Sequence, residues 1–85
     1  MNREEILRKL ENIFRDVFDN EELTITEETE AEDIEDWDSL GQVYLLVGAE
    51  EVFGIKFGEE ADQIKKVSEL VDLIEMCICD NQQGG

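Results

Sequence analysis

Histidine is absent from this chain, and cations are scarce: seven Lys and Arg stand against 24 Asp and Glu, for a net charge of −17 at pH 7. Without an imidazole there is no Ser-His or Cys-His nucleophile pair, and the commonest transition-metal ligand is missing. So few cations disfavour DNA and RNA as partners, because both bind through Lys and Arg that displace counterions from phosphates. Anionic membrane faces are disfavoured on the same ground. Long apolar runs are lacking too. No stretch approaches the roughly 18–20 apolar residues that cross a bilayer, so no membrane insertion is expected. The opening segment Met1-Asn2-Arg3-Glu4-Glu5 is polar and acidic, unlike a targeting peptide, which points to the cytoplasm.

What is present is enough for one small domain. A chain of 85 residues holds a single core and buries about 60–65% of its unfolded surface, too little for an enclosed active site with a lid. Carrying or binding is the expectation rather than catalysis. The acidic surface favours partners with basic patches, since opposite fields speed encounter and set orientation. The domain is expected over residues 1–80 as a monomer, with 81–85 as a flexible polar tail. Cys77 and Cys79 lie two apart in a helical pattern, so they face nearly opposite ways and neither pair nor share a metal.

Helical periodicity dominates. Ile6, Leu7, Leu10, Ile13, Phe14, Val17 and Phe18 recur on one face, with Asn2 and Glu5 in capping-box register. Eleven of the twenty residues from 19 to 38 are Asp or Glu. Leu23, Ile25, Ile34 and Trp37 interrupt that acidity, which predicts a long ordered loop pinned to the core by these four. Asp38 is a favoured N-cap for a second helix from Ser39 to the stop at Gly54. That helix is apolar nearly all round, so it is either central or keeps a face for a partner. Leu40, Tyr44 and Val47 form one stripe, and Leu45, Leu46, Ala49, Val52 and Phe53 are core candidates. Gly48 within it suggests close packing or room for something else. A short helix is expected over 59–64 and a last one over 67–78. The only alternating stretch is Leu23-Thr24-Ile25-Thr26, so the fold class is all-α: a four-helix bundle with a long loop between helices one and two and a short third helix.

Chemistry concentrates at Asp36-Trp37-Asp38-Ser39-Leu40-Gly41-Gln42-Val43. A serine directly after an N-cap aspartate presents its hydroxyl at a helix start, where a phosphodiester is favoured by the positive dipole end. Unaided, that hydroxyl is a poor nucleophile. It suits an acceptor that another enzyme activates. Position alone also fits an ordinary first-turn serine.

Asp38-Ser39-Leu40 resembles the Asp-Ser-Leu signature of acyl carrier proteins. The similarity continues through Val43, Leu46 and Glu50-Glu51-Val52-Phe53-Gly54-Ile55 into Glu59-Glu60-Ala61-Asp62-Gln63-Ile64 and Val67. Ile6, Leu10, Ile13 and Phe14 match the family's first helix, so the resemblance covers roughly residues 3–78. It implies a non-enzymatic carrier with 4′-phosphopantetheine attached to Ser39 by a phosphopantetheinyl transferase, flanked by Asp38 and Leu40. It further implies acyl thioesters on that arm and acyl-loading and acyl-transfer enzymes as partners. Docking would involve Leu40, Tyr44, Val47, Glu50 and Glu51. An acyl cleft would be lined by Leu45, Leu46, Phe53, Ile64 and Val67, which as readily form ordinary core.

The pattern departs from fatty-acid carriers at Tyr44 and Gly41, where acidic or polar residues are usual, and Trp37 is more like carriers of specialised pathways. A dedicated polyketide, lipid or cell-surface pathway is favoured over housekeeping fatty-acid synthesis. The terminal Gly84-Gly85 offers an alternative, a sulfur or ubiquitin-like carrier, which requires a β-grasp sheet. An acidic binding module explains the charge but gives Ser39 no role. An EF-hand begun at Asp36 fails, because Leu40 and Val47 fall where oxygen ligands are required, and no metal site is expected.

Overall fold

The computed structural model describes the backbone of residues 2–84 and the side chains of residues 2–78. Three α-helices follow one another: α1 Arg3–Val17, α2 Ser39–Phe53 and α3 Val67–Gly84, with 3-10 segments at Ala31–Asp33 and Glu59–Gln63. The third helix expected from the sequence is therefore the second 3-10 segment, and the α-helix count is three. Its five residues carry four carboxyl or carboxamide side chains around one buried residue, Ala61, too little apolar surface to hold a longer helix in place. The α3 backbone is helical as far as Gly84, beyond the expected end at Ile78. The side chains of the tail expected over 81–85 lie outside the described residues.

Helix α1 forms as its periodicity dictates. Asn2 caps it, its Oδ1 accepting from Glu5 N at 2.9 Å, and Ile6, Leu10, Ile13 and Phe14 are buried. Leu7, Val17 and Phe18 pack half-buried at the edge. Helix α2 crosses α1 closely at Gly48, where a Cβ would lie 3.0 Å from the Ile13 Cγ2 methyl. Gly54, at φ 66°, ends α2 in the left-handed conformation that glycine adopts without strain.

The connection over 18–38 is ordered by the residues that interrupt its acidity. Ile25, Ile34 and Trp37 are buried and Leu23 is half-buried. The Trp37 ring meets Phe14 edge-on at 5.1 Å, and Phe14 in turn meets Phe18 at 5.6 Å. Charged groups hold the backbone. Glu11 Oε2 accepts from Ile25 N at 3.1 Å, while Arg15 Nε donates to the Leu23 carbonyl at 2.7 Å. The carbonyls of Glu27 and Thr29 accept from Ser68 N and Val67 N at 3.0 and 2.9 Å. The loop thereby satisfies amides that the first turn of α3 leaves open. Glu30 and Lys66 form an isolated antiparallel bridge. The described residues contain no strand, so the β-grasp needed by the Gly-Gly alternative is not there.

Arg3 gathers Glu27, Asp72 and Glu75, tying α1, the loop and α3 together. Hydrogen bonds to Glu27, then to Asp72 and Glu75, raise the already high guanidinium pKa. Arg15 also pairs with Glu11 at 3.2 Å, but none of the seven Lys and Arg lies between Arg15 and Lys56, which leaves most of the 24 acidic groups without a cation. Their mutual repulsion opposes the compact state. Salt shortens the Debye length from about 30 Å at 0.01 M to about 10 Å at 0.1 M. The melting temperature should therefore rise with NaCl and more steeply with Mg²⁺, followed by circular dichroism; indifference to both would contradict this account.

Candidate functional site

The end of the loop and the start of α2 build the site. Trp37 N donates to the Ile34 carbonyl at 3.1 Å and Asp38 N to the Asp36 carbonyl at 2.9 Å, folding the chain tightly just before the helix. Asp38 is extended, and its Oδ1 accepts from Gly41 N at 2.9 Å. This is the N-cap the sequence predicts. Ser39 follows as the first helical residue, with an exposed side chain at the positive end of a 15-residue helix.

Gly41 has a steric reason. A Cβ there would lie 2.5 Å from the Asp36 carbonyl oxygen and 2.9 Å from Phe18 Cε1. Only a residue without a side chain lets the loop close onto the helix start. Gly41→Ala should thus destabilise the fold by about 1–3 kcal/mol, the usual cost of overpacking. Chemical denaturation checks this, and an unchanged midpoint would contradict it. The departure from the fatty-acid pattern at Gly41 is explained by this close approach.

Beneath Ser39 lies a buried polar knot. Gln42 is 8% exposed. Its Nε2 donates to the carbonyls of Ala61 at 2.8 Å and Ile64 at 2.9 Å, and its Oε1 accepts from the indole N–H of Trp37. One amide joins loop, α2 and the second 3-10 segment. The sequence does not single out Gln42: Gln42, Leu45, Leu46 and Ala49 form the inward face of α2 at i, i+3, i+4, i+7, but the exposed Leu40, Val43, Tyr44 and Val47 share that spacing.

Ser39 opens onto a cleft of about 290 Å³ whose walls include Ala31, Trp37, Gln42, Val43, Asp62 and Lys65. A second, more open groove of about 390 Å³ runs along α2 past Val43, Leu46, Val47, Glu50 and Phe57. The stripe on α2 is outward: Leu40, Tyr44 and Val47 are exposed, and Val43 with them. Glu51 is exposed, whereas Glu50 is half-buried with its Oε2 accepting from Phe57 N at 2.9 Å. Val52, expected in the core, is exposed instead.

Of the residues expected to line an acyl cleft, Leu46 borders the open groove. Leu45 and Val67 are fully buried in the core, and Phe53 and Ile64 pack half-buried against it. Cys77 Sγ approaches the Lys56 carbonyl at 3.6 Å, and the Cys79 side chain lies outside the described residues. Among the described residues no group of three or more His, Cys, Asp or Glu is placed to hold a metal ion. No described helix is long and apolar enough to cross a membrane.

The described residues thus form an all-helical domain that offers one capped, exposed serine beside a small cleft. No family model matches the chain. Individual relatives do. It is 42% identical over 76 residues to the acyl carrier protein of Coprothermobacter proteolyticus, covering 88% of this chain and 93% of that one. It is 39% identical over 75 residues to the acyl carrier protein of Rubrobacter xylanophilus, covering 87% and 93%. A holo acyl carrier protein from Geobacter metallireducens, solved by solution NMR, matches with a TM-score of 0.83 at 38% identity, over 93% of this chain and 92% of that one. The chain belongs to the acyl carrier protein family.

Proposed function

We propose that the chain carries a 4′-phosphopantetheine arm on Ser39 and delivers acyl groups from it to biosynthetic enzymes. The observation that carries the reading is the placement of Ser39, exposed at the first position of α2 behind the Asp38 cap. The surroundings fit the group. The positive end of α2 favours a phosphodiester on Ser39, and Lys65, in the same cleft, supplies a cation for it. When attached, the arm supplies a terminal thiol that holds acyl groups as thioesters.

Ser39 Oγ is the attacking oxygen when a phosphopantetheinyl transferase loads the chain from coenzyme A. It forms the new P–O bond and expels the adenosine bisphosphate half, and its proton passes to a base of the transferase. This chain has no histidine to serve as that base, and Asp38 Oδ1 accepts from Gly41 N as the helix cap. Mg²⁺ belongs to the transferase. A gain in mass of one arm, mapped to Ser39 and lost in Ser39→Ala, tests the attachment.

Partner enzymes with basic patches dock on α2 through Leu40, Tyr44, Val47 and Glu51. Leu40 is 62% and Tyr44 56% exposed, more than a protein without a partner for that face requires. Glu50 contributes charge, but its carboxylate also caps Phe57 N, so Glu51 is the cleaner probe. Glu51→Lys should slow acyl transfer to a cognate enzyme several-fold, chiefly through association at low salt, with the circular-dichroism spectrum unchanged. Equal rates would place the docking surface elsewhere. Trp37 and Gly41 have structural roles here, which leaves exposed Tyr44 as the departure that bears on partner choice. It favours a dedicated polyketide or lipid pathway over fatty-acid synthesis.

A further inference from the structure

We propose that the groove between α1 and α2 at Gly48 is a second docking surface, fitted to a basic amphipathic helix of a partner protein. At about 690 Å³ it is larger than either the Ser39 cleft or the groove along α2. Gly48 brings α2 close against Ile13 and Val17 of α1 and, having no side chain, presents bare backbone to the groove. Val17 is half-buried beside it, and Val52, one turn further along α2, is 50% exposed. Gly48 lies nine residues beyond Ser39, roughly 14 Å along the helix. The groove shares no lining residue with the Ser39 cleft. A partner seated there leaves that cleft uncovered.

Charge sets the occupant. Asp16, Asp19, Glu21 and Glu51 line the groove. All four are exposed, and none forms an ion pair among the described residues. Two cations share the groove, Lys9 and Arg15. Arg15 is engaged by Glu11 and by the Leu23 carbonyl, which leaves Lys9 against four carboxylates. Unpaired carboxylates around apolar surface suit a segment that carries Lys or Arg beside apolar side chains. A groove between two helices takes such a segment as a third helix, with its apolar side chains on Val17, Gly48 and Val52. The net charge of −17 opposes a second copy of this chain, and it opposes nucleic acid as well.

The test uses a synthetic peptide with a Leu stripe at helical spacing and Lys on its flanks. It is titrated into the isotope-labelled full chain, and backbone-amide NMR shifts are followed. The largest shifts should fall on Val17, Gly48 and Val52. Val52→Lys should weaken binding about tenfold, since it replaces apolar contact with a like charge. Glu21→Lys should weaken it several-fold. Both side chains are exposed, so neither variant should change the circular-dichroism spectrum. The same peptide with Ser in place of Leu should bind about tenfold more weakly than the Leu peptide. Glu51 lines the groove and belongs to the docking stripe of α2 as well, so it is left unchanged. Shifts centred on Leu40, Tyr44 and Val47 would place the peptide on that stripe and overturn the proposal. Unchanged affinity in Val52→Lys, or equal binding by the Ser peptide, would overturn it too.

Discussion

Gln42→Leu should lose about 2–6 kcal/mol of folding stability, because two buried polar groups are left without partners at about 1–3 kcal/mol each. The substitution keeps volume and adds apolar surface, so a view of α2 as simple core predicts a neutral or stabilising change. The hydrogen bonds predict the reverse. Trp37 N–H and the Ile64 carbonyl lose Gln42, whereas the Ala61 carbonyl keeps the bond from Ile64 N at 3.2 Å. Against the 5–15 kcal/mol typical of a folded domain, that loss is large. It is read by urea denaturation with two signals: helical circular dichroism for the whole fold, and Trp37 emission for the site itself. A wild-type midpoint with Leu at position 42 would mean that the amide contributes nothing.

How much was legible in the sequence differs from element to element, for physical reasons. Helix α1 was readable because its apolar residues occupy one face, and Ile6, Leu10, Ile13 and Phe14 are buried as that face requires. Helix α2 was readable as a helix but not in its orientation. An apolar residue at almost every position leaves no face marked as inward. Val52 was accordingly placed in the core and is exposed, and Gln42 was passed over and is buried. The short third helix was legible as a helical segment over 59–64, but it settles as 3-10 over Glu59–Gln63, with Gln42 donating to the Ala61 and Ile64 carbonyls.

The long connection was half legible. Ile25, Ile34 and Trp37 declared themselves by interrupting a run of acids. Arg3 could not be foreseen, since its partners Glu27, Asp72 and Glu75 lie 24, 69 and 72 residues away. No local pattern carries that information. At the site, Asp38 was legible as a cap because capping acts over three residues, and Gly41 N does bond to it. Gly41 itself stood out only as a departure. Its reason, the Asp36 carbonyl and Phe18 ring above it, required the folded loop.

Whether Ser39 alone accepts the arm is the claim on which the functional account rests, and incubation with coenzyme A, Mg²⁺ and a broad-specificity phosphopantetheinyl transferase tests it directly. Intact mass should show one phosphopantetheine added to the wild-type chain, and peptide mapping should place it on Ser39. Ser68, the only other serine, is an internal control, half-buried with its backbone N–H bonded to the Glu27 carbonyl. Ser39→Ala should abolish the modification at little cost in stability, because Asp38 remains as the cap. Asp38→Ala should weaken both modification and fold, a lost N-cap costing typically about 1 kcal/mol. A wild-type chain that stays unmodified beside a carrier that is modified in the same tube would contradict the account, and label on Ser68 or Cys77 would contradict the assignment of the site.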